Sequence, residues 1–288
     1  MATLRILDSI TDRGDPRRAM EDSCGGNRAA AFVIDAATGL GGDFLGMDES
    51  DAAWLARFAK DCFEELIVEN CPVSKAVRKT NERIGRIVRD ALDGRDAESW
   101  ALPVAAFQMA RIEEGHVVTY GLGDCRLFAL DAAGGAFDAT ALPGQLARER
   151  ETARHALAVS GGLKNRKSLT SDPAVLEELR RERGRYNRAG EPVWTLGVEP
   201  GAAEMVVRHE VPLDLPMRGL LCTDGFAALI DQYGRHDTAS LVEKAATDGL
   251  VPLLTELRRI EQREDPHGIA YPRFKVSDDA TAVLFEIV

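Results

Sequence analysis

The sequence predicts an α+β fold in which antiparallel sheets form a β-sandwich flanked by helices. Three observations carry this. Strand-like segments arrive in groups that alternate with helix pairs, unlike the strict βαβ rhythm of a doubly wound sheet. A hairpin signal joins two consecutive strand-like segments. A chain of 288 residues with 45% apolar and 29% charged side chains has an ordinary globular balance and room for a sizeable core. At about 150 residues per domain that length admits two domains, but β-rich domains often reach about 250 residues, so one domain over 1–288 is expected.

The elements follow in order. Residues 3–9 (TLRILDS) and 29–35 (AAAFVID) read as short strands, the second apolar enough to be buried on both faces. Over 49–70 the period becomes helical: Trp54, Leu55, Phe58, Ala59, Cys62, Phe63, Leu66 and Ile67 fall at i, i+3, i+4 spacing. Asp48 or Ser50 suits the start of that helix, and Pro72 its end. A second helix, 73–92, places Val77, Ile84, Ile87, Val88 and Leu92 on one stripe. From 101 to 130 strands return as ALPVAAFQMARI, HVVTYGLG and CRLFAL, with Glu113–Gly115 as a hairpin turn. Residues 145–188 are polar and read as two helices, 145–159 and 173–186. Strands at 204–211 and 218–223 precede a helical stretch over 225–263, broken near Gly234 and Pro252, and the chain closes on the strand 281–288.

Charge and cysteine usage exclude several classes. A net charge of −11 makes the chain a poor general binder of nucleic acid or anionic membrane. No apolar run approaches the ~20 residues of a spanning helix, and the charged N-terminal stretch lacks the apolar region of a secretory signal. The five cysteines are odd in number, scattered and without a CxxC pair, which reads as a reduced, cytoplasmic protein with neither disulfides nor a zinc site.

The informative feature is where the aspartates sit. Asp35, Asp124, Asp224 and Asp278 each end or begin an apolar strand, and Glu21 and Asp22 precede another strand-like stretch. Asp and Gly also end strands simply because they make turns. Carboxylates gathered at one rim, however, raise one another's pKa unless cations neutralise them. Hard divalent cations, magnesium or manganese, are their natural partners, and two ions ~3.5–4 Å apart activate water and grip a phosphoryl group.

At these residues the sequence resembles the metal-dependent protein serine/threonine phosphatases, the protein phosphatase 2C family, in a bacterial form. The resemblance rests on five motifs in order: RRAMED (17–22), VIDAATGLGG (33–42), Gly-Asp-Cys-Arg (123–126), LLCTDGF (220–226) and Asp-Asp-Ala-Thr (278–281). It implies a four-layer α/β/β/α sandwich with metals at one end of the two sheets. It further implies a protein phosphatase using Mn2+ or Mg2+, two ions with a third, weaker site, and a metal-bridging hydroxide that attacks phosphorus directly. Asp35 would bridge the metals and the Ala36 carbonyl would ligate the second. Glu21 would hold that ion through water with Asp22 beside it, and Asp224 and Asp278 would hold the first. Asp124, with Asp224, would serve the third site. Arg17, or Arg18 by one residue of slack, matches the phosphate-gripping arginine.

Three departures accompany the resemblance. The histidine found in eukaryotic members soon after the bridging aspartate is missing: the stretch here is Ala36-Ala37-Thr38-Gly39-Leu40. Its loss confines activity to modest rates or good leaving groups, and His155, in the polar segment, is the one other histidine to weigh. Cys125 replaces serine, without the CxxxxxR loop of a cysteine phosphatase, and reads as a small core residue. Asp279 replaces asparagine, as a further metal ligand or as added charge.

Residues 145–188 carry eleven Lys or Arg against six Asp or Glu, a basic segment in an acidic chain. In the resembled family this is the variable flap beside the active site, where it would attract phosphorylated substrates. A solvated helix pair with i,i+4 charge pairs is the alternative. SGGLKNRKS (160–168) could close over a phosphate but lacks the strand–helix context of a P-loop. The substrate is therefore expected to be a phosphorylated protein. The other readings are a small phosphorylated metabolite, or a catalytically silent metal-binding regulatory module of the same fold.

Overall fold

The structure, a computed structural model, describes residues 2–69, 71–160, 163 and 168–288. In chain order the strands are β1 (Leu4–Asp12), β2 (Asp22–Gly26), β3 (Ala30–Ala36), β4 (Ala105–Glu113), β5 (His116–Leu122), β6 (Arg126–Asp131), β7 (Ala136–Thr140), β8 (Val207–Glu210), β9 (Met217–Cys222) and β10 (Ala280–Ile287). The helices are α1 (Asp51–Leu66), α2 (Val73–Leu92), α3 (Gln145–Ser160), α4 (Pro173–Arg183), α5 (Asp224–Asp231), α6 (Thr238–Asp248) and α7 (Leu250–Arg259). The strands form two five-stranded antiparallel sheets, β1-β10-β9-β6-β7 and β2-β3-β4-β5-β8.

Three apolar layers hold four structural layers together. Val33, Ala110, Leu127, Leu221, Val283 and Phe285 fill the space between the sheets. Helices α1 and α2 cover the second sheet, with Phe63 packed edge-on against Phe32 and Phe107 at 5.4 and 5.1 Å. Helices α5, α6 and α7 cover the first through Phe226, Leu229, Leu241, Leu253 and Leu257. The expected α+β sandwich with helices outside is thus observed, in the α/β/β/α order.

Local chemistry explains the element ends. Ser50 starts α1, accepting from the Ala53 N–H at 3.2 Å. That helix stops at Leu66, short of the expected 70, because the Asn27 side chain takes the Ile67 carbonyl at 2.7 Å. Glu114 and Gly115, both at positive φ, make the two-residue hairpin between β4 and β5. The break expected near Pro252 falls at Gly249 instead, where φ is +82°. Pro252 lies in the first turn of α7, where a missing N–H costs nothing. Residues 200–205 form a 3-10 turn, so the strand expected from 204 begins at Val207. Strand β7 has too weak an alternation to be seen in sequence and forms by pairing with β6.

The polar segment folds as expected into two helices, α3 and α4, with a small core of Ala156, Leu163, Leu169 and Val175 packed against Phe274 and Val276. Most of SGGLKNRKS lies outside the described residues. None of the described helices is long and apolar enough to cross a membrane.

Candidate active site

One end of the sandwich gathers the aspartates. In the antiparallel register Asp22, opening β2, lies directly opposite Asp35 near the end of β3. Asp224 follows β9, whose Cys222 pairs with Ala282 of β10 on one side and Arg126 of β6 on the other. The start of β10, just after Asp278, and the turn before β6, holding Asp124, therefore meet the end of β9. These side chains, with Glu21 and Ala36, line one cavity of about 430 Å³. The structure thus brings together all the expected metal-ligating positions.

Two glycines make the convergence sterically possible. A Cβ on Gly225 would stand 2.0 Å from the Asp279 carbonyl oxygen, so only glycine lets the start of α5 approach the strand-end carrying Asp278. Gly123, at φ +78°, turns the chain so that Asp124 enters the rim, and its position faces Ala106 too closely for any side chain.

The electrostatics are strained. Burial pushes Asp35 well above the carboxylate range, and the charges of Asp22 and Asp224 add to it. Burial, then Asp278 and Asp124, raise Asp224 to about 7. Asp35 stands close enough to Asp224 to offset part of that rise. Asp22 is likewise raised by burial, although the Thr223 hydroxyl donates to it at 2.7 Å. Asp124 rises through burial and the Asp278 charge. Like charges held opposite one another cost stability, and a hard cation would relieve the whole set, so the all-oxygen donor set fits Mg2+ or Mn2+. Among the described residues, however, no three acidic or His/Cys side chains already surround a single point.

The other expected positions fall as follows. Glu21 is buried and accepts from Ser50 at 3.0 Å, Arg18 at 3.2 Å and the Thr38 hydroxyl. Ala36 donates its N–H to the Glu21 carbonyl at 3.0 Å, tying the two motifs together. Asp279 accepts from the N–H groups of Gly14 and Glu21 at 2.9 and 2.8 Å, a backbone clamp for the Glu21 loop. Arg17 is largely exposed, bonded to Asp15 at 2.7 Å, and is not part of the cavity lining. His155 is exposed on α3 and also stands outside the lining. Cys125 is fully buried in the inter-sheet core, and burial drives its thiol far up, which keeps it neutral and unreactive.

Sequence reasoning missed Thr223 and Lys275, and the particular contacts of two arginines of the basic segment. Thr223 stitches Asp22 of one sheet to the Thr281 N–H of the other. The Arg183 guanidinium of α4 donates to the Thr38 carbonyl at 2.6 Å, while Arg180 donates to the Leu40 carbonyl at 2.8 Å and stacks on Trp100. Lys275 places its ammonium 2.6 Å from Asp278 Oδ1. In the basic segment Arg148, Arg183 and Arg185 line the cavity, while Arg181–Glu178 and Arg185–Glu182 pair on the surface at i,i+3 rather than the expected i,i+4 spacing.

No protein-family model matches the chain, and no curated protein matches it by sequence. Solved structures do match over essentially its full length. The catalytic domain of the serine/threonine protein phosphatase PstP, in complex with two manganese ions, is 16% identical, with a TM-score of 0.54 over 100% of both chains. PppA of Pseudomonas aeruginosa, a regulatory component of its T6SS, is 14% identical, with a TM-score of 0.55 over 100% of both chains. The PPM serine/threonine phosphatase MsPP of Mycobacterium smegmatis, in complex with cacodylate, is 15% identical, with a TM-score of 0.50 over 98% of both chains. The fold is the one these PPM-type phosphatases share.

Proposed function

We propose that this chain, built on that fold, is a metal-dependent phosphoric monoester hydrolase acting on phosphoserine or phosphothreonine in proteins. One observation carries the reading. Carboxylates from both sheets, with raised pKa values, meet in a single cavity whose other wall is arginine-rich. Anion-attracting walls over a cation-demanding floor suit a phosphate ester and a divalent metal together.

On this reading Asp35, Asp224 and Asp278 would hold divalent ions, with Asp35 shared between two of them. The Ala36 carbonyl, with Glu21 and Asp22 behind it, would serve the second, and Asp124 with Asp224 would serve a third. Divalent ions there supply Lewis acidity that lowers the pKa of an attacking water and neutralises phosphoryl oxygens. The rest is the work of the protein's own side chains. The strand ends fix the carboxylates and Asp279 fixes the Glu21 loop. Arg148, Arg183 and Arg185 draw the phosphate dianion in. Arg17, which lies outside the lining and is bonded to Asp15, would reach the phosphoryl group only by leaving Asp15. No histidine stands in the lining among the described residues, so the leaving oxygen takes its proton from solvent, and aryl esters react faster than alkyl ones.

The test is hydrolysis of an aryl phosphate and of a phosphothreonine peptide with Mn2+ or Mg2+, with chelator, and in Asp35→Asn and Asp224→Asn. Metal-dependent turnover lost in both variants supports the reading. Turnover indifferent to chelator refutes it. Preference for free phosphorylated metabolites over the peptide would move the substrate class, and Mn2+ binding without turnover would make the chain a silent module.

A further inference from the structure

The acidic cavity holds a cation of the chain's own, Lys275, beside its carboxylates. Lys275 precedes β10, and its ammonium lies 2.6 Å from Asp278 Oδ1 and 3.2 Å from Thr38 Oγ1. Thr38 in turn donates to Glu21. The backbone that delivers Lys275 is braced. Arg273 is bonded to Asp265 at 2.9 Å and to the Val276 carbonyl at 3.1 Å. The Leu169 N–H donates to the Phe274 carbonyl at 2.8 Å, and Ser168 pairs with Lys275 itself. The ammonium is therefore held between a carboxylate and a hydroxyl, the hard oxygen donors a divalent ion takes.

We propose that Lys275 is a tethered counter-cation of the carboxylate cluster, and that a divalent ion settling on Asp278 and Asp224 must displace its ammonium. Lys275 thus sets the metal affinity of the centre by competing for it. The proposal rests on the reading of the cluster as a metal centre. A fixed positive charge within contact distance of a ligand opposes an incoming double charge, and its removal is expected to tighten Mn2+ binding about tenfold or more. A hydrogen-bonding structural lysine makes the opposite prediction, since its loss would loosen the site.

The experiment is Mn2+ titration, followed by the EPR signal of free Mn2+ and by calorimetry, on the parent, Lys275→Met, Lys275→Gln and Lys275→Arg. Binding at least about tenfold tighter in the two neutral variants, with Lys275→Arg close to the parent, supports competition. Unchanged or weaker binding in both neutral variants, with the parent binding normally, overturns the proposal alone. No Mn2+ binding by parent or variants overturns the metal-centre reading and the proposal with it. Two neutral replacements of different polarity guard against one that fails to fold, and no catalytic readout is needed.

Discussion

Replacing Asp224 by asparagine in chelator-treated protein removes a proton-linked penalty whose size follows from the structure. Burial and the Asp278 and Asp124 charges hold Asp224 at about 7, against an ordinary 3.8. The folded chain therefore keeps a proton between pH ~4 and ~7 that the unfolded chain has released, so stability falls as pH rises through that window. About 3 units at ~1.4 kcal/mol each set a ceiling of about 4 kcal/mol, and water in the cavity screens part of it. Asparagine carries no charge and is close to aspartate in size. The assay is urea unfolding with chelator from pH 5 to pH 8. The parent is expected to lose about 1–2.5 kcal/mol more than Asp224→Asn across that range, and the variant to be the more stable at pH 8 while losing metal-dependent hydrolysis. Parallel pH profiles for parent and variant would refute the reasoning, since they would mean that the Asp224 charge is not opposed in the fold.

Gly225→Ala drives a methyl against the Asp279 carbonyl; it should destabilise by about 1–3 kcal/mol in urea titrations and abolish hydrolysis by parting Asp224 from Asp278. Arg17→Ala is expected to raise KM for an aryl phosphate about tenfold, and an unchanged KM would assign phosphate to the wall arginines instead. Cys125→Ser should leave kcat within about twofold, and thiol alkylation of the folded protein should not inhibit, because that sulfur is buried and neutral. Arg180→Ala removes the grip on the Leu40 carbonyl and the stacking on Trp100; faster proteolysis within 145–188 with little change in the global unfolding midpoint is the expected outcome.

The carboxylates were legible in the sequence because each sits where an apolar run meets a turn, a pattern that survives any details of packing. Their pairing was not, since spacing in sequence says nothing about which strand ends become neighbours; the order β10-β9-β6 decides that. Helices α1 and α2 were legible from their stripes, whereas β7 was not, because AFDAT has no alternation of its own. Lys275 and Thr223 escaped notice for a different reason. A lysine three residues before an aspartate, or a threonine before one, is unremarkable until the fold points both at the same cavity. Asp279 was read as a ligand or added charge, and its two backbone hydrogen bonds show it holding the Glu21 loop.

The acidic rim draws side chains from both sheets: Asp22 and Asp35 from one, Asp224 and Asp278 from the other. The thickness of the apolar filling between those sheets then acts as a shim. Substituting Val33, Leu221 or Phe285, none of which reaches the cavity lining, would shift one half of the rim against the other, so tuning of this centre by remote, purely greasy residues is built into the architecture.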